Sequence, residues 1–382
     1  MDVLILSCGT GGGHNSAALA IKEAAEARGH HAEMFNPYDL RSGRLSEVID
    51  KAYISVATHA PILFGFLYLL GNLYRHLPIH SPVYALNGRM SGKMEAYLKT
   101  HHTDVIVMTH FFPGHILAHM ARRGMDIPKT ILVATDYTCL PFEEECACDA
   151  YVIPAEDLTK DFAKYGIPEE KIHPLGIPVG RAFQRMTAKQ EARKILGFEE
   201  TKHYILAAGG SIGAGKLPKT IRILSELLEG RDDVQVIVIC GSNAAVFHKL
   251  QKRFGDQIKI IGNTTQMPLY MSACDLYLTK AGGLSTTEAA VSGTPLALMP
   301  SIPGCESYNI RYFEKKNMCC KVRANRRSLK EMLTLLDAED ARRRMADNQR
   351  MYIHPDAAMK IVELADALVC ESEEDEEMQQ FG

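Results

Sequence analysis

Short apolar runs, each closed by a glycine-bearing turn and followed by a stretch of helical period, recur along the chain. "DVLILS", "TDVIVMT", "KTILVAT" and "DAYVIP" read as strands in the first half, and "HYILAAGG", "VQVIVICG", "IKIIG", "DLYLTKAGG" and "TPLALMP" in the second. These runs are apolar at successive rather than alternate positions, the pattern of parallel strands covered on both faces. Segments such as "NSAALAIKEAAEARG" and "LSTTEAAVSG" lie between them and supply the covering helices. The pattern predicts α/β class: two doubly wound domains. At 382 residues the chain is too long for one ordinary core. The boundary falls in "HPLGIPVGRAFQRMT", where prolines and glycines interrupt the pattern, giving domains 1–178 and 179–370. The helical "DAAMKIVELADALVC" docks on a domain, and residues 371–382 form an acidic tail expected to be disordered.

One segment breaks the rhythm. "HAPILFGFLYLLGNLYRHL", residues 59–77, is rich in Leu, Phe and Tyr, with Arg75 and His76 at its far end. Its uncharged centre is shorter than the ~20 residues a bilayer span needs. It reads either as a buried helical hairpin or as an interfacial element whose apolar side enters lipid.

Charge leaves two readings open, a solvated tail with an unremarkable basic surface or a basic face that leans on an anionic membrane. The net charge is −3, but the tail holds six of the acidic residues and the remaining body is net positive. Residues 41–123 carry an excess of Lys and Arg together with eight histidines, a face suited to an anionic membrane surface. No nucleic-acid partner is expected. The ten cysteines include no C-x-x-C pair, which removes zinc-ribbon and thioredoxin-like readings. The opening "MDVLILS" is too short for an export signal, so a reducing cytoplasm is expected.

Four glycine-bearing loops carry the candidate chemistry. "CGTGGGHN" follows the first strand, and His14 stands where a dinucleotide fingerprint would place its third glycine. A histidine opening a helix sits in a positive field that disfavours the imidazolium, as a general base requires. The same position also suits a helix cap. "GGSIGAGK" fits part of a phosphate loop, but Leu217 replaces the magnesium-binding hydroxyl and removes the NTPase reading. Its glycines still expose amides to phosphate oxygens. In "TKAGGLSTTEAAVSGTP", Gly283 opens a helix that Ser285 can cap. Glu288 either completes a capping box or accepts ribose hydroxyls. In "PGCESYN", Glu306 and Asn309 share a helix face, an acid and an amide suited to a polyol.

Taken in order, "GTGGGH", "ATDY", "GGSIGA", "TKAGGLSTTEA" and "PGCESYN" resemble the monogalactosyldiacylglycerol synthases and processive diacylglycerol glucosyltransferases, over residues 1 to about 320. That resemblance implies a GT-B architecture of glycosyltransferase family 28 type: two Rossmann-like domains facing a cleft, with a last helix (355–370) crossing back to the first. It implies an N-terminal acceptor domain and a C-terminal domain for a UDP-sugar. By position, Gly210, Ser211 and Gly213 with Gly283, Leu284 and Ser285 hold the diphosphate. Glu288 takes the ribose, Glu306 and Asn309 the sugar, and Ile261 in "IIGNTTQMP" the uracil. His14 is the implied base with Asp136 beside it, and Gly12, Gly13 and Phe142 face the lipid acceptor. The chain has no tryptophan, and Glu143, Glu144 and Glu145 follow "TDYTCLPF" where relatives often carry a tryptophan or a basic residue. Such a run looks hostile to an anionic lipid.

The expected reaction is inverting transfer of a glucose or galactose from a UDP-sugar to a diacylglycerol-type lipid. It would take place peripherally on the inner face of the cell membrane. No D-x-D sequence occurs, so no metal is expected in the donor site and no cofactor is needed. A UDP-sugar epimerase, a nicotinamide oxidoreductase and a non-catalytic nucleotide-sugar sensor are the competing readings.

Overall fold

The computed structural model describes residues 1–9, 12–41, 47–48, 55–56, 60–210, 216–300 and 304–381. They divide into two compact units, Met1–Gly180 with Pro355–Gly382, and Arg181–His354. Each is an α/β domain on a six-stranded sheet.

In the first unit the strands are β1 (Asp2–Leu6), β2 (His31–Phe35), β3 (Val105–Met108), β4 (Lys129–Val133), β5 (Ala150–Val152) and β6 (Ile172–His173). They stand in the order β2-β1-β3-β4-β5-β6, all parallel. In the second unit β7 (His203–Ala208), β8 (Val234–Ile239), β9 (Lys259–Ile261), β10 (Leu276–Lys280), β11 (Leu296–Met299) and β12 (Cys320–Lys321) stand in the order β12-β11-β10-β7-β8-β9, again all parallel. The central strands are buried along their length, "VIVM" of β3 and "LALM" of β11 at every position. That is why they read as unbroken apolar runs. β2 was not legible that way: its "HAEMF" exposes His31 and Glu33 and buries Ala32, as an edge strand does.

In each sheet the chain starts in the middle, winds to one side, then returns to the other. The crossover points lie between β1 and β3 and between β7 and β10. In open parallel sheets such points, at the carboxyl ends of the strands, are where ligands bind.

The last helix, Ala357–Phe381, packs in the first unit. Ala358, Ile361, Val362 and Ala365 join Ile21, Ala24 and the β1 and β3 side chains in one core. Arg28 pairs with Glu363 and Asp366 across the same contact. The acidic end expected to be disordered continues in helical backbone to Phe381; glutamate, methionine and glutamine are good helix formers.

The helix Pro61–Tyr74 overturns one of the two readings of the apolar segment. It is not a buried hairpin: Ile62 is 85% exposed, Phe66 55% and Leu73 62%, with Leu63, Leu67, Leu69 and Leu70 also in solvent. A monomer rarely leaves so much contiguous apolar surface uncovered. At 1.5 Å per residue this helix is about 21 Å long, and among the described residues no helix is long and apolar enough to cross a membrane.

Its far end is tied down by the acidic run that looked hostile to lipid. The Arg75 side chain, counted from sequence as a basic residue at the end of this segment, is fully buried. It forks onto both Glu144 oxygens, donates to the carbonyls of Cys139 and Leu140, and lies 3.4 Å from the Tyr165 ring centroid. Glu145 accepts from the Ser81 amide and hydroxyl, both at 2.6 Å, where the Pro82–Asn87 helix begins. Glu143 is buried and accepts from the Leu140 amide at 2.9 Å. The three acids are internal fasteners, so they present no negative face.

Removing one partner of a buried ion pair leaves the other uncompensated, at a cost of about 3–5 kcal/mol. Arg75→Met should therefore lower stability by about that much in urea denaturation. Arg75→Met/Glu144→Gln should recover part of the loss; additive losses would mean that the two side chains do not depend on each other.

Candidate functional site

Two residue sets converge at the crossover points, one in each unit. In the first, His14 is the third residue of the Gly12–Ala27 helix and is half-buried. Its Nδ1 lies 2.7 Å from the Thr109 carbonyl oxygen and 3.1 Å from the Thr135 hydroxyl. A carbonyl oxygen can only accept, so Nδ1 carries the hydrogen and Nε2 of the neutral ring keeps its lone pair. The Thr109 hydroxyl donates to Ser7 Oγ at 3.1 Å, and Ser7 donates to Asn15 Oδ1 at 2.7 Å. Ser7, Thr109 and Thr135 follow within two residues of the ends of β1, β3 and β4. The sheet itself thus sets the tautomer of the histidine.

His110 stands edge-on to His14, ring centroids 4.7 Å apart, and its Nδ1 accepts from the Phe112 amide at the start of the Phe111–Arg122 helix. Burial, with His14 and His115 adding to it, holds His110 well below the ordinary histidine range. It therefore remains neutral beside His14. Asp136 follows Thr135 directly and is half-buried. Burial pushes the Glu143 carboxyl up to about 8, and the Asp136 charge adds to that shift.

Phe142 has φ +78°, a conformation strained for a bulky side chain. The His115 ring holds it there, donating from Nε2 to the Phe142 carbonyl at 2.9 Å and facing the Asn87 amide at 3.2 Å with Nδ1. Asn87 in turn accepts from the Tyr38 hydroxyl. Burial lowers His115 to about 4, so the ring is neutral in this network. The Phe142 ring lies against Gly71, where a Cβ would meet Pro141 at 3.2 Å, and edge-on to Tyr74. It thus sits beside the last turn of the exposed apolar helix. Gly12 and Gly13 open the His14 helix.

In the second unit Gly210, two residues past β7, has φ +73°, and a Cβ there would meet Lys280 Cε at 2.6 Å. Only glycine satisfies both conditions. Ser211 and Gly213 lie outside the described residues. Lys280, the last residue of β10, reaches past Gly210 to Glu306 Oε1 at 2.7 Å, and both side chains are largely buried. Lys280 escaped the sequence reading, although its place at a strand's carboxyl end beside two glycines is a signal.

The Gly283–Val291 helix has Gly282 at its N-cap and no side-chain cap, so Ser285 does not cap it. Glu288 is the sixth helical residue, too far along for a capping box. The amides of Gly283, Leu284 and Ser285 thus open the helix with no side-chain cap from the Gly282 position. Thr286 and Thr287 turn their hydroxyls back onto the Gly282 and Gly283 carbonyls. Glu288 is pushed up to about 8 by burial alone. Glu306 and Asn309 lie on the Cys305–Lys315 helix and are both buried. The Asn309 amide donates to the Ala281 carbonyl at 2.9 Å and so braces the Gly282–Gly283 turn. The Ile261 carbonyl accepts from the Cys240 amide at 2.8 Å, so it is engaged within the sheet.

Residues 14–179 match the family model for monogalactosyldiacylglycerol (MGDG) synthase, and residues 204–364 match the glycosyltransferase family 28 C-terminal domain. The chain is a glycosyltransferase. It is 29% identical to a probable monogalactosyldiacylglycerol synthase of Nicotiana tabacum, over 94% of this chain and 69% of that protein. It is 24% identical to a processive diacylglycerol beta-glucosyltransferase of Bacillus pumilus, over 91% of this chain and 90% of that one. MurG of Acinetobacter baumannii shares the fold at a TM-score of 0.65 and 15% identity, covering 96% of this chain and 99% of that one. Sucrose-phosphate synthase of Thermosynechococcus elongatus does so at 0.62 and 13%, covering 97% and 100%. The fold is that of the GT-B glycosyltransferases. His14 and Lys280 are polar side chains that stand at the two crossover points.

An acid held above its ordinary pKa in the fold weakens the fold as pH rises, because the unfolded chain ionises first. For Glu288 the loss begins near its ordinary value of 4.5 and is complete by about 8. Thermal melts of Glu288→Gln against the parent should show a stabilisation that grows between those limits and then levels. A difference that does not change with pH would mean that Glu288 ionises freely.

Proposed function

We propose that this glycosyltransferase transfers a hexose, glucose or galactose, from a UDP-sugar to a diacylglycerol-type lipid at a membrane surface, with inversion at the anomeric carbon. The observation that carries the proposal is the His14 tautomer: Nδ1–H is committed to the Thr109 carbonyl, which leaves Nε2 as the base. Nε2 takes the hydroxyl proton of the acceptor as its oxygen attacks the anomeric carbon. The bond from that carbon to the diphosphate oxygen breaks, and its electron pair leaves with UDP. One displacement inverts the configuration.

The second unit has the groups to receive that charge. The uncapped amides of Gly283, Leu284 and Ser285, the Gly210 turn and Lys280 supply positive potential to a diphosphate. This design calls for no resident metal. Glu288 is placed for ribose hydroxyls and Glu306 for sugar hydroxyls, with Asn309 setting the turn beneath them. Gly12, Gly13 and Phe142 border the acceptor, and Asp136 adds negative charge that favours the imidazolium formed on His14.

The relatives' names support the lipid acceptor, and the exposed Pro61–Tyr74 helix supports the surface. Its leucines and Phe66 enter the lipid boundary, while Arg75 anchors the helix to the protein instead of reaching head groups. Attachment is peripheral, which suits the inner face of the cell membrane.

The test supplies labelled UDP-glucose or UDP-galactose with diacylglycerol vesicles and follows label into lipid, with NMR reading the anomeric configuration. Inverted glycolipid supports the proposal. An altered UDP-sugar without glycolipid would point to an epimerase, and UDP-sugar binding with no product to a sensor. General-base help is worth about 10²–10⁴-fold, so His14→Ala should lower kcat by that range with donor binding retained. A loss under about tenfold would remove His14 as the base. Phe66→Asp/Leu70→Asp, on exposed positions, should leave the melting temperature unchanged while abolishing vesicle flotation. Flotation equal to the parent's would place the membrane contact elsewhere.

A further inference from the structure

The amino ends of the first sheet's strands, opposite His14, gather four side chains that glycosyl transfer does not use. Asp2 opens β1, His31 opens β2 in register with it, and His102 and Asp104 lead into β3. His31 Nδ1 lies 3.0 Å from Asp2 Oδ1, and His102 Nε2 lies 2.9 Å from Asp104 Oδ1. The ligand atoms of Asp2, His102 and Asp104 all fall within 4.8 Å of one another. Two backbone bonds hold the carboxylates together: the Asp2 amide donates to Asp104 Oδ2 at 2.6 Å, and the Asp104 amide donates to the Asp2 carbonyl at 3.0 Å. The histidine side chains are 76% and 77% exposed, so their rings can turn without disturbing the core.

We propose that this cluster is a binding site for a divalent transition metal of the zinc class. His102 Nε2 and one oxygen each of Asp2 and Asp104 supply three ligands, and His31 Nδ1 supplies the fourth. Two imidazole nitrogens with two carboxylate oxygens suit zinc better than the all-oxygen ions magnesium or calcium. Tetrahedral ligands at zinc bond lengths of about 2.0–2.1 Å lie roughly 3.3 Å apart. A side-chain rotation therefore closes the spread among Asp2, His102 and Asp104, and a turn of the exposed His31 ring, already 3.0 Å from Asp2 Oδ1, brings in the fourth ligand. Because the ligands come from three adjacent strands, the metal would staple β2, β1 and the approach to β3 at their amino ends. The effect is on stability and leaves the reacting groups at the other end untouched.

The experiment uses the full chain without an affinity tag, stripped of metal and titrated with Zn²⁺ by calorimetry and with Co²⁺ by visible absorption. The expected result is one saturable site, the strong absorption of tetrahedral cobalt, and a rise in melting temperature on adding zinc. His102→Ala and His31→Ala change exposed rings and should melt like the parent without metal, yet each should lower affinity about tenfold or more and remove the zinc-dependent rise. No saturable binding to the parent, or equal binding by the His31→Ala/His102→Ala double variant, would overturn the proposal.

Discussion

A parallel sheet cannot join neighbouring strands by a tight turn, so every connection crosses back over a face as a helix and every strand ends at the same edge. That constraint decides where chemistry can sit in both units. At the crossover points two connections part to opposite faces and leave the strand ends open between them. Ser7, Thr109 and Thr135 occupy such ends in one sheet, and Gly210 and Lys280 in the other. None of these residues is mobile in the way a long loop would be, because each is within two residues of a ladder of backbone hydrogen bonds. A base whose tautomer must be correct before substrate arrives gains from that rigidity. The His14 hydrogen bond to a strand-end carbonyl fixes the proton on Nδ1 without using a second acid.

The same units hold charges and conformations that cost stability unless they are locked from several sides. Phe142 is kept at positive φ by a chain from Tyr38 through Asn87 to the neutral His115 ring. Arg75 is withdrawn from water entirely and satisfied by a carboxylate, two carbonyls and an aromatic face. These locks meet beneath one element, the exposed Pro61–Tyr74 helix. An apolar helix with most of its surface in solvent has little hydrophobic reason to stay on the protein. Its last turn is instead held by ionic and aromatic contacts, which leave the outward face exposed.

Much of this was legible in the sequence. The continuous apolar runs located the central strands because burial on both faces leaves no polar alternation. The exceptions were structural: β2 alternates as an edge strand, while β6 and β12 are two residues long and carry no period at all. His14 was legible because glycines and a histidine at a strand end are unusual. Its partners were not, since Thr109 and Thr135 are 95 and 121 residues away and nothing local marks them. "EEE" misled for the same reason. Its meaning depends on Arg75 and Ser81, 69 and 64 residues earlier, and a charge run read alone looks like surface. At Glu288 the error was one of phase: the helix begins at Gly283, so a glutamate three residues after Ser285 completes no box.

Two glutamates of the second unit, Glu306 buried and Glu288 half-buried, are held in different ways. Glu306 and Lys280 neutralise each other at 2.7 Å, so this pair can be buried in the resting protein. A diphosphate brought near Lys280 would compete with Glu306 for the same ammonium, and that competition would turn the carboxylate toward sugar hydroxyls. Glu288 differs, because burial raises it to about 8. Natural folds seldom retain an acid raised by burial without a use for it, since replacing it with a neutral side chain would stabilise them. A ribose offering two hydroxyl donors would compensate Glu288 in the bound state. On the proposed function, the stability that Glu288 costs would be recovered when the nucleotide binds.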